Sequence, residues 1–203
     1  MNKFISENIK TLIYALIIAL FIRSILIQPF YIPSSSMEPN LLVGDRLFVT
    51  KFSYGYSKHS FPFSPNLFQG RILYSEPKRG DVVVFKTPAD NRTDYIKRLI
   101  GIPGDELQFI DGNLIINNEL IFTEILKKND YVFCGSQKLN VRTYQENINN
   151  KKYNVSYSIK NSFDNSDLYI VPKDHYFFLG DNRDCSKDSR FLSDVGYVHK
   201  DNL

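Results

Sequence analysis

RGDVVVFKTPADNRTDYIKRLIGIPGDEL, residues 79–107, holds two strand-sized segments between turn signals. Arg79-Gly80-Asp81 reads as a turn, and Val82–Phe85 is a β-branched and aromatic run of strand length. A second strand starts near Asp94 and ends at turns around Gly101 and Gly104. In a pleated strand, Tyr95, Lys97 and Leu99 share one face, and Ile96, Arg98 and Ile100 share the other. Each face thus carries one cation among apolar neighbours. Arginine cannot usefully give up its proton, whereas a lysine buried between bulky residues can.

The same pattern extends outward. Leu41–Tyr54, LLVGDRLFVTKFSY, reads as a turn at Gly44-Asp45 followed by an alternating strand. Asn117-Asn118 is placed to close a hairpin inside NLIINNELI. HYFFLGDNRDCSKDSR, residues 175–190, is a strand followed by a loop dense in Asp, Arg and Ser. Residues 59–78 are proline-rich and predict an irregular loop, its aromatics packed on the body or, alternatively, dipped into a bilayer interface. Residues 125–168 are polar and Asn-rich, with short strands predicted at Tyr131–Cys134 and Tyr153–Ile159. The fold expected is mainly β, an antiparallel β-sheet domain behind an N-terminal transmembrane helix. Three parts follow: an anchor over 1–28, a β-rich body from 29–110 and 171–203, and a smaller inserted β region over 111–170.

The helix rests on IKTLIYALIIALFIRSILIQ, residues 9–28. A helix over Thr11–Ile27 reaches about 26 Å, near the thickness of a hydrocarbon layer. Arg23 lies near the far end, where it can snorkel into headgroups. Lys3 and Lys10 precede the span and predict a cytoplasmic N-terminus. A cleaved signal peptide is the competing reading. Its apolar core is normally shorter, and here Gln28-Pro29-Phe30-Tyr31 intervenes before any small residue.

Composition excludes several classes. A net charge of +3 across 203 residues, without a basic cluster interleaved with aromatics, argues against nucleic acid. Three histidines, His59, His175 and His199, have no telling neighbours, and no G-x-S-x-G elbow is present. The acidic run at 181–189 lacks the glycine and glutamate of a calcium loop, so no metal or other cofactor is expected. Cys134 and Cys185 form no C-x-x-C, and a separation of 51 positions does not decide whether they pair. With histidine unpromising, the remaining nucleophilic arrangement is serine with lysine. IPSSSMEPNL, residues 32–41, supplies the serines.

Three blocks, IPSSSMEPNLLVGDRLFVTKFSYG, RGDVVVFKTPADNRTDYIKRLIGIPGD and GDNRDCSKDSR, stand in order behind the apolar segment. They resemble those of bacterial type I signal peptidases, membrane-anchored Ser-Lys endoproteases. The resemblance covers most of residues 9–110 and 172–203. It implies that Ser36 is the nucleophile and Lys97 the general base. Ser34 and the Ser36 backbone N–H form the oxyanion hole. Ser186 orients the lysine, Asp188 and Arg190 form a supporting ion pair, and Asp181 and Arg183 belong to the same loop. Phe85 and Tyr95 bury the lysine and border the substrate. Phe30, Ile32, Met37, Leu41 and Ile96 contribute to shallow apolar pockets for substrate side chains. The resemblance also implies preprotein substrates with small residues at −1 and −3, contact with the lipid bilayer and proximity to the export translocon. It places the enzyme in the inner membrane, single-pass, with its catalytic domain on the periplasmic side.

This sequence departs from the family at two positions, with Ser35 where glycine is frequent and Asn40 where threonine is frequent. It also stops at Asn202-Leu203, about where the family's closing segment usually continues. Two other readings fit the same features: a Ser-Lys protease dedicated to one partner or to itself, and an inactive membrane-tethered β domain.

Overall fold

The computed structural model describes residues 3–61, 64–66, 68–159 and 164–203. Among these are one long helix, α1 (Lys3–Phe21), and thirteen strands. These are β1 (Ile27–Tyr31), β2 (Arg46–Thr50), β3 (Val82–Lys86), β4 (Asp94–Gly101), β5 (Glu106–Ile110), β6 (Asn113–Ile116) and β7 (Glu119–Leu120). The series continues with β8 (Thr123–Cys134), β9 (Gln137–Ile148), β10 (Lys151–Ser158), β11 (Tyr169–Ile170), β12 (His175–Leu179) and β13 (Val198–His199). The strand pairs whose registers are defined are antiparallel. The expected mainly β fold behind a single apolar helix is therefore what the chain adopts.

The chain divides into two compact units, Met1–Phe30 with Arg46–Ser75, and Tyr31–Asp45 with Glu76–Leu203. In the first, α1 passes into a wider helical turn over Ile22–Leu26, and Ile27 already belongs to β1. The helix thus ends one residue before the position expected. Residues Glu7–Leu26 are long and apolar enough to cross a membrane, with none of the span buried. Its end is tied down by polar contacts: Lys51 N–H donates to Leu26 O (3.0 Å) and Tyr56 Oη to Ile25 O (2.9 Å). The loop after β2 has little regular structure, as its prolines dictate. Arg71 holds it by donating to Tyr54 O and Gly55 O. Phe61 and Phe68 meet edge to face, while Phe63 lies outside the described residues.

The second unit contains three sheets, ordered β13-β12-β4-β3, β11-β5-β6-β7 and β10-β9-β8. Residues Ile100, Leu107, Phe109, Leu114, Val155 and Phe177 lie in one buried cluster drawn from all three. Burying a side chain of this size contributes about 1.5–3 kcal/mol. Asn117 and Asn118 both adopt positive φ (52° and 65°), which closes the predicted β6–β7 hairpin.

The region after Thr123 corrects the sequence reading. The strands expected at 131–134 and 153–159 are the end of β8 and most of β10, but they belong to a ribbon of three strands, two of them twelve residues long, whose middle strand β9 was not expected. The first two thirds of β8 escaped notice because most of its residues are exposed, so no alternation marks a buried face. It also bulges between Ile125 and Asp130, which breaks the period. The β9–β10 turn is another Asn-Asn pair, Asn149-Asn150 (φ 50° and 64°). The two cysteines, undecided by the sequence, form a disulfide with a Cα–Cα distance of 5.6 Å.

Gly101 ends β4 where no side chain fits: a Cβ there would lie 2.7 Å from Leu107 Cδ1 and 2.9 Å from Phe177 Cβ. Gly101→Ala is expected to destabilise the unit by about 1–3 kcal/mol through overpacking. Urea unfolding should show a lower midpoint with an unchanged slope.

Candidate active site

Lys97 sits on β4, which runs between β3 and β12 and is not a sheet edge. Its cross-strand partner on β3 is Val83. Both faces of this stretch are covered, so Lys97 (4% exposed) and Arg98 (7%) are both buried. They go to opposite fates, as the pleat requires. On one face, Lys97 Nζ lies 2.7 Å from Ser36 Oγ and donates to Ile96 O at 3.0 Å. The Tyr95 ring centroid is 5.2 Å from Nζ. Phe85, opposite Tyr95 across the strands, is buried and stacks on Phe178 at 4.6 Å. On the other face, Arg98 grips Asp181 with two bonds of 2.7 Å.

Ser36 is carried on a short helical turn, Ser35–Met37, entered from an extended Ser34. Ser34 Oγ is 3.3 Å from Ser36 Oγ. Ile32 and Met37 are buried, whereas Leu41, Tyr95 and Ile96 are half-buried and retain surface for a ligand. Phe30 lies half-buried on β1 in the first unit.

The loop after β12 completes the setting. Asn182 anchors the serine turn twice, its backbone N–H donating to Ser36 O and its Nδ2 to Ser35 O, both at 3.1 Å. Arg190 binds both oxygens of Asp188 at 2.8 and 2.9 Å, and Gly180 N–H donates to Asp188 Oδ2 at 3.0 Å. Arg183 pairs with Glu146 at 2.5 Å, and neither side chain has more than 1% exposure. Ser186 is buried, and its hydroxyl completes no hydrogen bond to Lys97 or to Asp188. Asn40 donates to Asp181 Oδ2 (2.6 Å) and to Asn154 O (2.7 Å), so its amide earns a structural place at that position.

Sequence reasoning missed Asn182, Glu146 and the partner of Arg98. Only the last left a signal: a cation amid apolar residues on a strand requires a buried anion. Gly180 was also unremarked, although a Cβ there would meet Ser186 Oγ at 2.1 Å and Ser36 O at 2.5 Å. Among the described residues, no group of three His, Cys, Asp or Glu side chains could hold a metal ion.

The electrostatics suit proton transfer. Burial pushes Lys97 down from its ordinary 10.5 to about 8, and Asp188 and Asp181 limit the fall. Both carboxylates are neutralised by arginines, which leaves burial in control. A hydroxyl held 2.7 Å from an amine of this proton affinity can be deprotonated as it attacks an electrophile.

Lys97 also burdens the fold. Between about pH 8 and 10.5 the unfolded chain binds its proton more tightly, so stability rises with pH through that window. Below it the full cost persists. Lys97→Met is therefore expected to be more stable than the parent at pH 7, by up to about 3 kcal/mol, with the advantage shrinking above pH 8. Urea titrations at pH 7 and 10 measure it.

The sequence matches the family described as "Signal peptidase, peptidase S26" over residues 5–203. Signal peptidase I of Rickettsia bellii (strain OSU 85-389) is 41% identical over 212 residues, covering 100% of this chain and 71% of that protein. Signal peptidase I of Rickettsia prowazekii (strain Madrid E) is 38% identical over 212 residues, covering 100% of this chain and 78% of that protein. A crystal structure of a signal peptidase I from Enterococcus faecalis V583 shares 25% identity over 63% of this chain and 93% of its own, with a TM-score of 0.37. Matched from residue 5 to its last residue by the family and along its whole length by the Rickettsia proteins, the chain belongs to the signal peptidase family, peptidase S26, and is a serine peptidase that acts on preproteins.

Proposed function

We propose that this enzyme removes signal peptides by a Ser36–Lys97 dyad while tethered to a membrane by its N-terminal helix. The observation that carries this reading is the 2.7 Å approach of a buried lysine amine to a serine hydroxyl. Neutral Lys97 takes the Ser36 proton as Oγ attacks the scissile carbonyl carbon. The negative charge on the carbonyl oxygen is met by the Ser34 hydroxyl and the Ser36 backbone N–H. Each such donor is worth about 3–4 kcal/mol in the transition state. The protonated lysine passes its proton to the departing amine, leaving an ester on Ser36. Water, deprotonated by the same amine, then hydrolyses that ester and releases the signal peptide.

Asp188–Arg190 and Asp181–Arg98 support the loop and strand that hold the dyad, and in this reading Ser186 is the hydroxyl that orients the lysine. Leu41, Tyr95 and Ile96 provide half-buried apolar surface for small −1 and −3 side chains, backed by buried Ile32, Met37 and Phe85. The span Glu7–Leu26 holds the chain in the inner membrane, close to where the export translocon releases its cargo. Lys3 and Lys10 keep the N-terminus cytoplasmic, which leaves the catalytic part on the periplasmic side.

The test is cleavage of a preprotein ending its signal in Ala-x-Ala, by detergent-solubilised enzyme. Ser36→Ala and Lys97→Met should each reduce cleavage to background while both proteins unfold cooperatively. Full activity in either variant refutes the dyad. In the parent, kcat/KM should rise with pH through about 8 as Lys97 loses its proton. A rate independent of pH across that range contradicts the base assignment.

A further inference from the structure

The ribbon β8–β10 carries none of the catalytic side chains, yet each of its strands holds one of three successive residues in the loop after β12. Glu146 on β9 pairs with Arg183 at 2.5 Å. The Ser158 backbone N–H, at the end of β10, donates to Asp184 Oδ2 at 2.6 Å. Cys134, the last residue of β8, is bonded to Cys185. Residues 183–185 form a single helical turn, so the three attachments act on one rigid piece. Just before it, Asn182 clamps the carbonyls of Ser35 and Ser36, and just after it Ser186 lies against Gly180. The clamp itself is aligned by β10, whose Ser156 N–H donates to Asp181 O at 2.9 Å. Cys185 Sγ also approaches Ser35 Oγ at 3.5 Å.

We propose that the ribbon is the positioning scaffold of the nucleophile, and that the Cys134–Cys185 disulfide and Glu146 are positioning residues for Ser36. This rests on the Ser36–Lys97 reading. The path is short: ribbon to turn 183–185, turn to Asn182, Asn182 to the peptide units flanking Ser36. Misplacing a reacting atom by about 1 Å can cost as much as about 100-fold in rate. Peptide binding uses other surface, so the loss falls on kcat and not on KM. The disulfide is the one attachment that chemistry can open without altering the sequence. A dithiol delivers two electrons and two protons to the S–S bond, giving two cysteine thiols and a cyclic disulfide. The catalytic geometry is then complete only where thiols are oxidised, as they are outside the cytoplasm.

The experiment uses the full chain in detergent, the Ala-x-Ala preprotein and dithiothreitol as the dithiol. Reduction should lower kcat about tenfold at unchanged KM, and reoxidation should restore it. Cys134→Ala/Cys185→Ala should match the reduced parent and ignore dithiothreitol, which separates the bond from other effects of the reagent. Glu146→Gln, which keeps the shape but not the charge, should show the same kcat-only loss with its disulfide intact. Parental kcat in both the double cysteine variant and Glu146→Gln overturns the proposal. So does a loss of kcat that tracks a loss of cooperative unfolding. Ser36→Ala run beside them separates the two readings: activity there defeats the dyad itself, whatever the cysteine variants do.

Discussion

A lysine buried without an ion-pair partner among the described residues is the constraint around which the second unit is organised. Lys97 is 4% exposed, and the nearest charged groups that influence it are Asp188 and Asp181. A free carboxylate beside it would keep the amine protonated. Each of these carboxylates is instead held by an arginine, Asp188 by Arg190 and Asp181 by Arg98. Glu146, the third buried acid of the neighbourhood, is held by Arg183. Three arginines that cannot be deprotonated absorb three negative charges, and the one cation that can be is left to burial. The adjacent positions 97 and 98 divide this labour because the pleat sends them to opposite faces.

Such a setting is expensive in stability, since buried ion pairs rarely outweigh their own desolvation. The compensation is structural. β4 lies inside its sheet, so its backbone is bonded on both sides. The apolar cluster that includes Ile100, Phe109 and Phe177 lies behind the polar residues and supplies the favourable burial. Glycine at 180 lets the loop, the serine turn and Ser186 approach more closely than any side chain allows. Polar residues that would individually be costly are bonded to one another, which limits the loop to one arrangement.

The sequence was informative where the local pattern carries the information. β3 and β4 announce themselves by β-branched runs between glycine turns, and Asn117-Asn118 by its tolerance of positive φ. The apolar span needed only length and composition. Ser36 and Lys97 could be singled out by residue type and resemblance, and the structure brings their side chains within 2.7 Å. The ribbon was legible only in the end of β8 and in β10. β8 is exposed along most of its length and bulged, so hydrophobic periodicity marked little of it. The same Asn-Asn signal that marked one hairpin also stood at 149–150, followed by the alternating run Tyr153–Ile159, but Tyr144–Ile148 before it does not alternate.

By itself, the chain's order of residues determined which groups are chemically able to act and which segments become strand, turn or apolar helix, because these depend on near neighbours. Tertiary structure alone decided which charges meet. Arg98 finds Asp181 across 83 positions, Arg183 finds Glu146 across 37, and Cys134 finds Cys185 across 51. Nothing in the spacing of such residues encodes their distance in space. Whether the lysine keeps its proton depends on those meetings, because burial and neighbouring charge are properties of the folded environment and not of the side chain.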